Sequence, residues 1–323
     1  MLRRLFFSLL LALPLASQAA DLTVGLIATR NPEELPGFWQ PVIDDLSASI
    51  GQPVKVIAVK SYDELQQKFR NNEVQVARVG NRLALSLVEH DNAEVFARLV
   101  QNPGLSEYRS MLLVRKDSGI NNLDTILRAK GRYRYASDYT NSTAGYLIPQ
   151  YHAFLKNNVL PEQLFKTTRQ GNYEDNFLAL YRKDVDVAVA NSFDIEQLQE
   201  KYPREFASLK VIWTSPNFAL DPLVYKNTLP AAMKQKIATF FTRYGRDGAV
   251  ATQQKQKLYY ADQLDGFLPA SNRLLRETSD LQLYNDLFRL TLNASVPATE
   301  KTAQEKDYYR RYQTLVSLLG GAR

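Results

Sequence analysis

Apolar residues alternate between short continuous runs and helical spacings along most of this chain. Leu22-Thr23-Val24-Gly25-Leu26-Ile27 is a run of strand length, and Trp39, Ile43, Leu46 and Ile50 then recur at i, i+4, i+7 and i+11, one face of a helix stopped by Gly51. Pro41 is expected in the first turn of that helix, where its missing N–H costs nothing. Val54 to Val59 predicts a second strand, and Ser61-Tyr62-Asp63-Glu64 a capping box opening the helix Leu65 to Arg70. Val74 to Val79 predicts a third strand, ended by Gly80-Asn81. Strand and helix in alternation imply right-handed crossovers and a largely parallel sheet.

A second alternating unit begins near Ser110. Its strands are expected at Met111 to Arg115, Tyr133 to Ser137, Val185 to Ala190 and Lys210 to Trp213. Helices are expected at Asn121 to Arg128, Ser142 to Asn157, around Phe177 to Tyr181, and at Ile195 to Tyr202. Two units predict two α/β lobes, with the Gly- and Pro-bearing segments Asn102 to Tyr108 and Thr214 to Pro222 as hinge crossings. Beyond Pro230 the pattern is helical, at Met233 to Tyr244, Lys255 to Tyr260, and two tail helices carrying Leu281, Tyr284, Leu287 and Phe288, then Tyr308, Tyr312, Leu315 and Leu319. The tail tyrosines read as packing positions rather than a base-stacking platform. There is no internal repeat or low-complexity tract.

The strand–turn–helix around Asp138-Tyr139-Thr140-Asn141-Ser142-Thr143-Ala144-Gly145-Tyr146 is the stretch most suited to a ligand. Such a junction points free backbone N–H groups at one spot, Ser142 and Thr143 add hydroxyls, and Gly145 permits close approach. The same residues also serve as a plain N-cap, and locally both readings stand. Gly80-Asn81 and Asn191 to Asp194 sit at other expected strand ends, so the three segments are expected to meet at one interlobe cleft. Asn141-Ser142-Thr143 also spells a glycosylation sequon, read as a chance match.

Arg3-Arg4, the apolar run Leu5 to Leu15 and Ser17-Gln18-Ala19 have the order of a secretory leader, so residues 1 to 19 are expected to be removed and the protein exported. The run is too short for a comfortable membrane span, and without cysteine at the cleavage point no lipid anchor is expected. Loss of Arg3 and Arg4 takes the formal charge from +6 to +4, spread among acidic residues, which excludes the concentrated patch of a nucleic-acid binder. An exported chain with no cysteine has no disulfide frame, thiolate metal site or thiol nucleophile. Its two histidines, His90 and His152, lack the zinc spacing and read as structural. Phosphate-loop, dinucleotide and nucleophile-elbow motifs are absent, and Asp44-Asp45 and Asp184 with Asp186 read as solvated pairs. No cofactor, metal or catalytic residue is expected, and an enzyme reading rests on fold analogy alone.

Several ordered stretches carry a family likeness: Trp39-Gln40-Pro41, Ser61-Tyr62, Val79-Gly80, Tyr108-Arg109-Ser110, Val114 to Ile120, Asn141 to Tyr146 with Pro149, Val185 to Ala188, Trp213 to Pro216 with Asp221-Pro222, and Gly266 to Ala270. Through them the chain resembles the phosphate, phosphite and phosphonate binding proteins of ABC importers. The resemblance implies a two-lobed periplasmic solute-binding fold of type II, doubly wound, with lobe 1 from 20 to 110 plus 216 to 323 and lobe 2 from 111 to 215. It implies hinge closure on a phosphorus oxyanion (phosphate, phosphite or alkylphosphonate), a monomer, and an inner-membrane permease as partner. A sensor lobe signalling to a membrane kinase is the alternative, and an enzyme on the same fold a more distant one.

By matching positions the resemblance places Ser142, Thr143 and Ala144 at the oxyanion, with Tyr62 and Tyr108 contacting the ligand from lobe 1 and the hinge side. The pattern alone would put Tyr62 exposed in a first helical turn. Departures touch the rest of the pocket. Ala144 replaces a serine, and Arg169-Gln170-Gly171-Asn172 puts Asn172 where the family often has histidine. Asn191-Ser192, with Asp194 beyond, replaces the acidic grip on an amine, so an aminoethylphosphonate specialist is not expected. Asp221 is either an acidic contact or a turn residue before proline. Arg78 and Arg169 are either anion clamps or surface ion pairs. The tail from about Leu274 exceeds the family core and either braces a lobe or meets a partner.

Overall fold

The computed structural model describes residues 22–28 and 32–320. The leader expected over residues 1 to 19 lies outside them. Strands β1 (Leu22–Ile27), β2 (Val54–Val59), β3 (Val76–Arg78) and β4 (Ala93–Gln101) start the first lobe. A short β5 (Glu107–Tyr108) leads to the second lobe, built on β6 (Ser110–Arg115), β7 (Arg134–Ser137), β8 (Thr167–Gln170), β9 (Val187–Asn191) and β10 (Leu209–Thr214). The chain returns through β11 (Phe218–Ala219), and β12 (Pro222–Lys226) and β13 (Leu264–Pro269) complete the first sheet. The sheet orders are β13-β4-β12-β3-β1-β2 and β10-β6-β9-β7-β8.

Helix α1 (Leu35–Ile50) buries Trp39, Val42, Ile43 and Leu46, and Gly51 ends it at φ 79° with its N–H on Ser47 O. The helix begins a turn earlier than the pattern predicts, which puts Pro41 in its interior. Helix α2 (Tyr62–Arg70) starts where Ser61 Oγ accepts the Glu64 N–H, one arm of the expected capping box. Helix α3 (Asn81–His90) follows β3 directly. β1 lies between β2 and β3 and runs parallel to both, so the carboxyl ends of β1 and β3 form a topological switch point. β7 is flanked in the same way by β8 and β9, giving the second lobe its own switch point.

The expectation of largely parallel sheets needs correcting, because both sheets are mixed. β12 runs antiparallel to β3 and β4, β13 antiparallel to β4, and β6 antiparallel to β9 and β10. Strands that re-enter a sheet after a visit to the other lobe are not ordered by local crossover rules. β4 escapes the pattern for a related reason: it is central and buried on both faces, so alternation is lost.

The two segments expected to cross between lobes lie side by side. Tyr108 pairs with Phe218 and Glu107 with Ala219 in a two-stranded antiparallel ribbon. The tail helices Arg276–Leu292 and Ala298–Leu318 pack against each other. The first also touches both lobes: α3 on one side, and on the other the wide-turned segments Thr143–Leu147 and Gln150–Phe154.

Candidate functional site

The two switch points face each other across a cavity of about 40 Å³. Ile27, Arg78 and Gly80 reach it from the ends of β1 and β3, Tyr62 from the start of α2, Leu99 from β4, and Tyr108, Leu220 and Asp221 from the ribbon and its exit. The second lobe supplies Ser142, Thr143 and Ala144 from the turn after β7, Tyr173 from the first residue of the helix Tyr173–Tyr181, and Asn191, Phe193 and Asp194 from the end of β9. A water needs at least about 10 Å³ on this measure, so the space suits an occupant of few heavy atoms.

The turn is shaped by its own hydrogen bonds. Ser142 Oγ accepts the Gly145 N–H at 3.0 Å, Ser110 Oγ donates to Ala144 O at 2.6 Å, and Thr143 Oγ1 accepts the Arg82 N–H of α3 at 2.8 Å. Ser142 is the N-cap, so the N–H groups of Thr143 and Ala144 fall in the first turn, where helical geometry supplies no acceptor. A Cβ at Gly145 would stand 2.2 Å from Asp138 Cβ and 2.9 Å from Tyr173 Oη, so only glycine lets the turn settle on the strand end. Instead of the regular helix expected from Ser142 to Asn157, the chain makes two wide-turned segments and a final tight turn.

Tyr62 is buried at 8 % exposure rather than exposed, because the first position of α2 faces the other lobe. Its ring lies 6.4 Å from that of Tyr139 and its hydroxyl donates to Asp138 Oδ2 at 3.3 Å. Tyr108 is 4 % exposed. Its hydroxyl, Arg78 Nε and Asn81 Oδ1 are buried polar atoms without a hydrogen-bond partner among the described residues. Each such atom costs about 1–3 kcal/mol unless something meets it.

Arg78 is no surface residue. It is 3 % exposed, ion-paired through Nη1 to Asp262, 3.7 Å from Asp221 through Nη2, and seated over the Phe193 ring at 5.5 Å. Burial pushes the Asp221 carboxyl up to about 6, with Arg78 opposing and Asp194 and Asp262 adding to the rise. Burial likewise raises both tyrosine hydroxyls well above their usual range.

Three sequence expectations are corrected here. Asn172 does not reach the cavity, because its Oδ1 caps the following helix by accepting the Asp175 N–H at 2.7 Å; its neighbour Tyr173 takes the position. Ser192 does not reach it either, since its Oγ accepts the Arg109 N–H at 2.9 Å and ties β9 to the crossing strand. The expectation that no acidic side chain stands near Asn191-Ser192 in the pocket is corrected as well, as Asp194 lines the cavity, buried and hydrogen-bonded by Asn191 Nδ2 at 2.7 Å. Arg169 lies on exposed β8, and neither histidine lines the cavity: His90 stands beside Glu89, and His152 packs on the rings of Tyr151 and Phe218. Nothing local in the sequence marks Tyr173 or Phe193, which line the cavity, or the backbone of Arg82, which bonds the turn. Among the described residues no cluster of acidic or histidine side chains is arranged to hold a metal, and no helix is long and apolar enough to cross a membrane.

A family model described as the ABC transporter, phosphonate, periplasmic substrate-binding protein matches residues 24–275. The chain belongs to that family. As a substrate-binding component of an ABC transporter it is a periplasmic protein with a small ligand and membrane partners, and not an enzyme. The phosphonates-binding periplasmic protein of Escherichia coli (strain K12) is 36% identical over 229 residues, 71% of this chain and 68% of that one. The crystal structure of a binding protein component of an ABC phosphonate transporter from Pseudomonas aeruginosa superposes with a TM-score of 0.84 at 33% identity, covering 92% of this chain and 97% of that one. A Prochlorococcus marinus protein in complex with methylphosphonate shares the two-lobed fold at TM-score 0.71 and 19% identity, over 82% of this chain and 98% of that one. The periplasmic binding protein described here thus carries its two tail helices beyond the stretch that the family model matches.

Proposed function

We propose that the protein captures a small phosphonate in the periplasm and delivers it to the permease of an ABC importer by hinge closure. Lobe 1 then comprises residues 20–110 and 216–323, lobe 2 residues 111–215, and the β5–β11 ribbon the pivot. The observation that carries this reading is the meeting of the Ser142-Thr143-Ala144 turn from one lobe with Tyr62, Tyr108, Arg78 and Asp221 from the other around one cavity. The hydroxyls of Ser142 and Thr143 and the first-turn N–H groups hold the oxyanion, since hydrogen bonds to a charged group contribute about 1.5–3 kcal/mol each. Ala144 keeps its N–H and forgoes one hydroxyl.

The substituent end carries more carboxylates than cations, with Asp194, Asp221 and Asp262 around Arg78. An ammonium-bearing substituent fits that balance better than a second anion. Because ligand shifts closure only by its preference for the closed over the open form, contacts from both lobes are needed. A thermal-shift panel with phosphate, phosphite, methylphosphonate, 2-aminoethylphosphonate, sulfate and carboxylates tests the reading. Phosphonates are expected to raise the midpoint most, by linkage of about 2.7 kcal/mol at a hundredfold excess over Kd. A shift from carboxylates and none from any phosphorus oxyanion overturns it.

A further inference from the structure

Asp138 stands behind the oxyanion turn and does not line the cavity, yet three of the hydroxyls at that end, those of Tyr62, Ser142 and Tyr173, lead back to it. Its carboxyl is 2 % exposed. Oδ1 accepts the Tyr139 N–H at 2.7 Å, leaving Oδ2 for the Tyr62 hydroxyl at 3.3 Å. Ser142 bears on the same carboxyl, and Ser142 Oγ lies 3.4 Å from Tyr173 Oη. Tyr62, Ser142 and Tyr173 all line the cavity, so a layer of hydroxyls separates the carboxyl from the ligand.

A hydroxyl has one hydrogen. When Tyr62 gives its hydrogen to the Asp138 carboxylate, its oxygen turns only lone pairs toward the cavity. A ligand oxygen facing those lone pairs must itself bring a proton. When Asp138 is protonated instead, it donates to Tyr62, and Tyr62 donates onward to a bare ligand oxygen. In both arrangements the chain from Asp138 through Tyr62 to the ligand holds one proton beyond the phenol's own.

We propose that Asp138 is a positioning residue that, through Tyr62, makes capture of the phosphonate depend on one proton shared between its carboxyl and the ligand. This rests on the phosphonate reading of the cavity and adds the protonation state that the site accepts. The groups facing Asp138 are Tyr62 from α2, Tyr139 and Ser142 from its own turn, Tyr173 from the helix Tyr173–Tyr181, and Asp194 from beyond β9; Asp221 faces Tyr62 from the ribbon exit. Burial pushes the Asp138 carboxyl up to about 7, the hydrogen bonds from Ser142, Tyr139 N–H and Tyr62 oppose the rise, and Asp194 adds to it. Shared-proton chemistry is thereby set near neutral pH.

The test is calorimetry with 2-aminoethylphosphonate and methylphosphonate from pH 6 to 9, run in two buffers of different ionisation enthalpy so that protons taken up are counted directly. At pH 8.5, with the carboxyl and the free ligand both deprotonated, the wild-type protein is expected to take up close to one proton, and its affinity to fall about tenfold per pH unit. Asp138→Asn, whose amide turns its NH2 to Tyr62, is expected to lose the uptake and the slope. It is also expected to bind methanesulfonate, which has no proton to bring, at least tenfold more tightly than wild type at that pH. Tyr62→Phe keeps the carboxyl and cuts the relay, and should lose the uptake too. Tight wild-type binding without proton uptake, or uptake unchanged in either variant, overturns the role of Asp138 and leaves the phosphonate reading standing. No heat from either phosphonate at any pH overturns that reading and this one together.

Discussion

Thr143 of the second lobe caps a helix of the first: its Oγ1 accepts the Arg82 N–H at the start of α3 at 2.8 Å. The hydroxyl hydrogen remains for a ligand oxygen, so in the proposed binding mode one side chain both grips the anion and ties the lobes. Thr143→Val keeps the shape and removes both bonds. Anion affinity is expected to fall at least tenfold, about 1.4 kcal/mol, with little change in fold. Unchanged affinity by calorimetry removes the turn from the binding site.

Gly145 is expected to tolerate no side chain. An alanine Cβ would sit 2.2 Å from Asp138 Cβ, an overlap relieved only by backbone movement. Gly145→Ala should cost about 1–3 kcal/mol in denaturant melts. A loss below a few tenths would show that the turn does not rest on the strand end as described.

The unliganded protein should be more stable without the ionised Asp138. A carboxyl raised from 3.8 to about 7 stays protonated in the fold while the unfolded chain ionises, so stability falls as pH rises across that window and then levels off. Asp138→Asn has no such loss. Its stability relative to wild type, read from denaturant melts, is therefore expected to climb between pH 5 and pH 8 by an amount on the order of 2 kcal/mol. An offset independent of pH would show that the carboxyl is not desolvated in the free protein.

Arg289 of the tail helix Arg276–Leu292 donates to Gln150 Oε1 at 3.1 Å and pairs with Glu162, while Tyr284 and Phe288 pack on the Tyr151 ring. The same tail reaches the first lobe, where Arg311 pairs with Glu89 beside the end of α3. The tail thus braces the lobes against each other rather than only one of them. Exposed pairs contribute about 0.2–1 kcal/mol. Arg289→Ala is expected to speed ligand release about two- to fivefold in stopped-flow measurements, with the association rate nearly unchanged; equal release rates would show that the brace does not bear on closure.

Much of the scaffold could be read from local pattern, and the reasons for the rest are physical. α1 was legible from one apolar face and its glycine stop, and the start of α2 from Ser61 and Glu64, because those signals act within one turn. β4 was not, since burial on both faces erases alternation. In the site, the position of Ser142 and Thr143 at the cavity was legible because they follow the carboxyl end of a strand, while the local pattern left open whether they cap the helix or meet a ligand, and Ser142 does cap it. Arg78 stayed undecided between anion clamp and surface ion pair because its partner Asp262 lies 184 positions away, and an arginine at a strand end looks like any solvent-facing cation. Asn172 looked more suited to a ligand than Tyr173, yet capping needs the asparagine outside the helix and leaves the next residue to turn inward.

The ribbon that joins the lobes is also part of the cavity wall, since Tyr108 lies on it and Leu220 and Asp221 follow directly from β11. In the hinge closure proposed above, rotation about this ribbon would carry Ser142 and Thr143 with the second lobe and leave Tyr108 and Asp221, which lie at the pivot, almost where they were. On that reading an arriving molecule would meet the axle before it met the jaws. Sorting at first encounter would then fall to the groups on the axle, and the Ser142-Thr143 turn would be met last, only by molecules that have already passed.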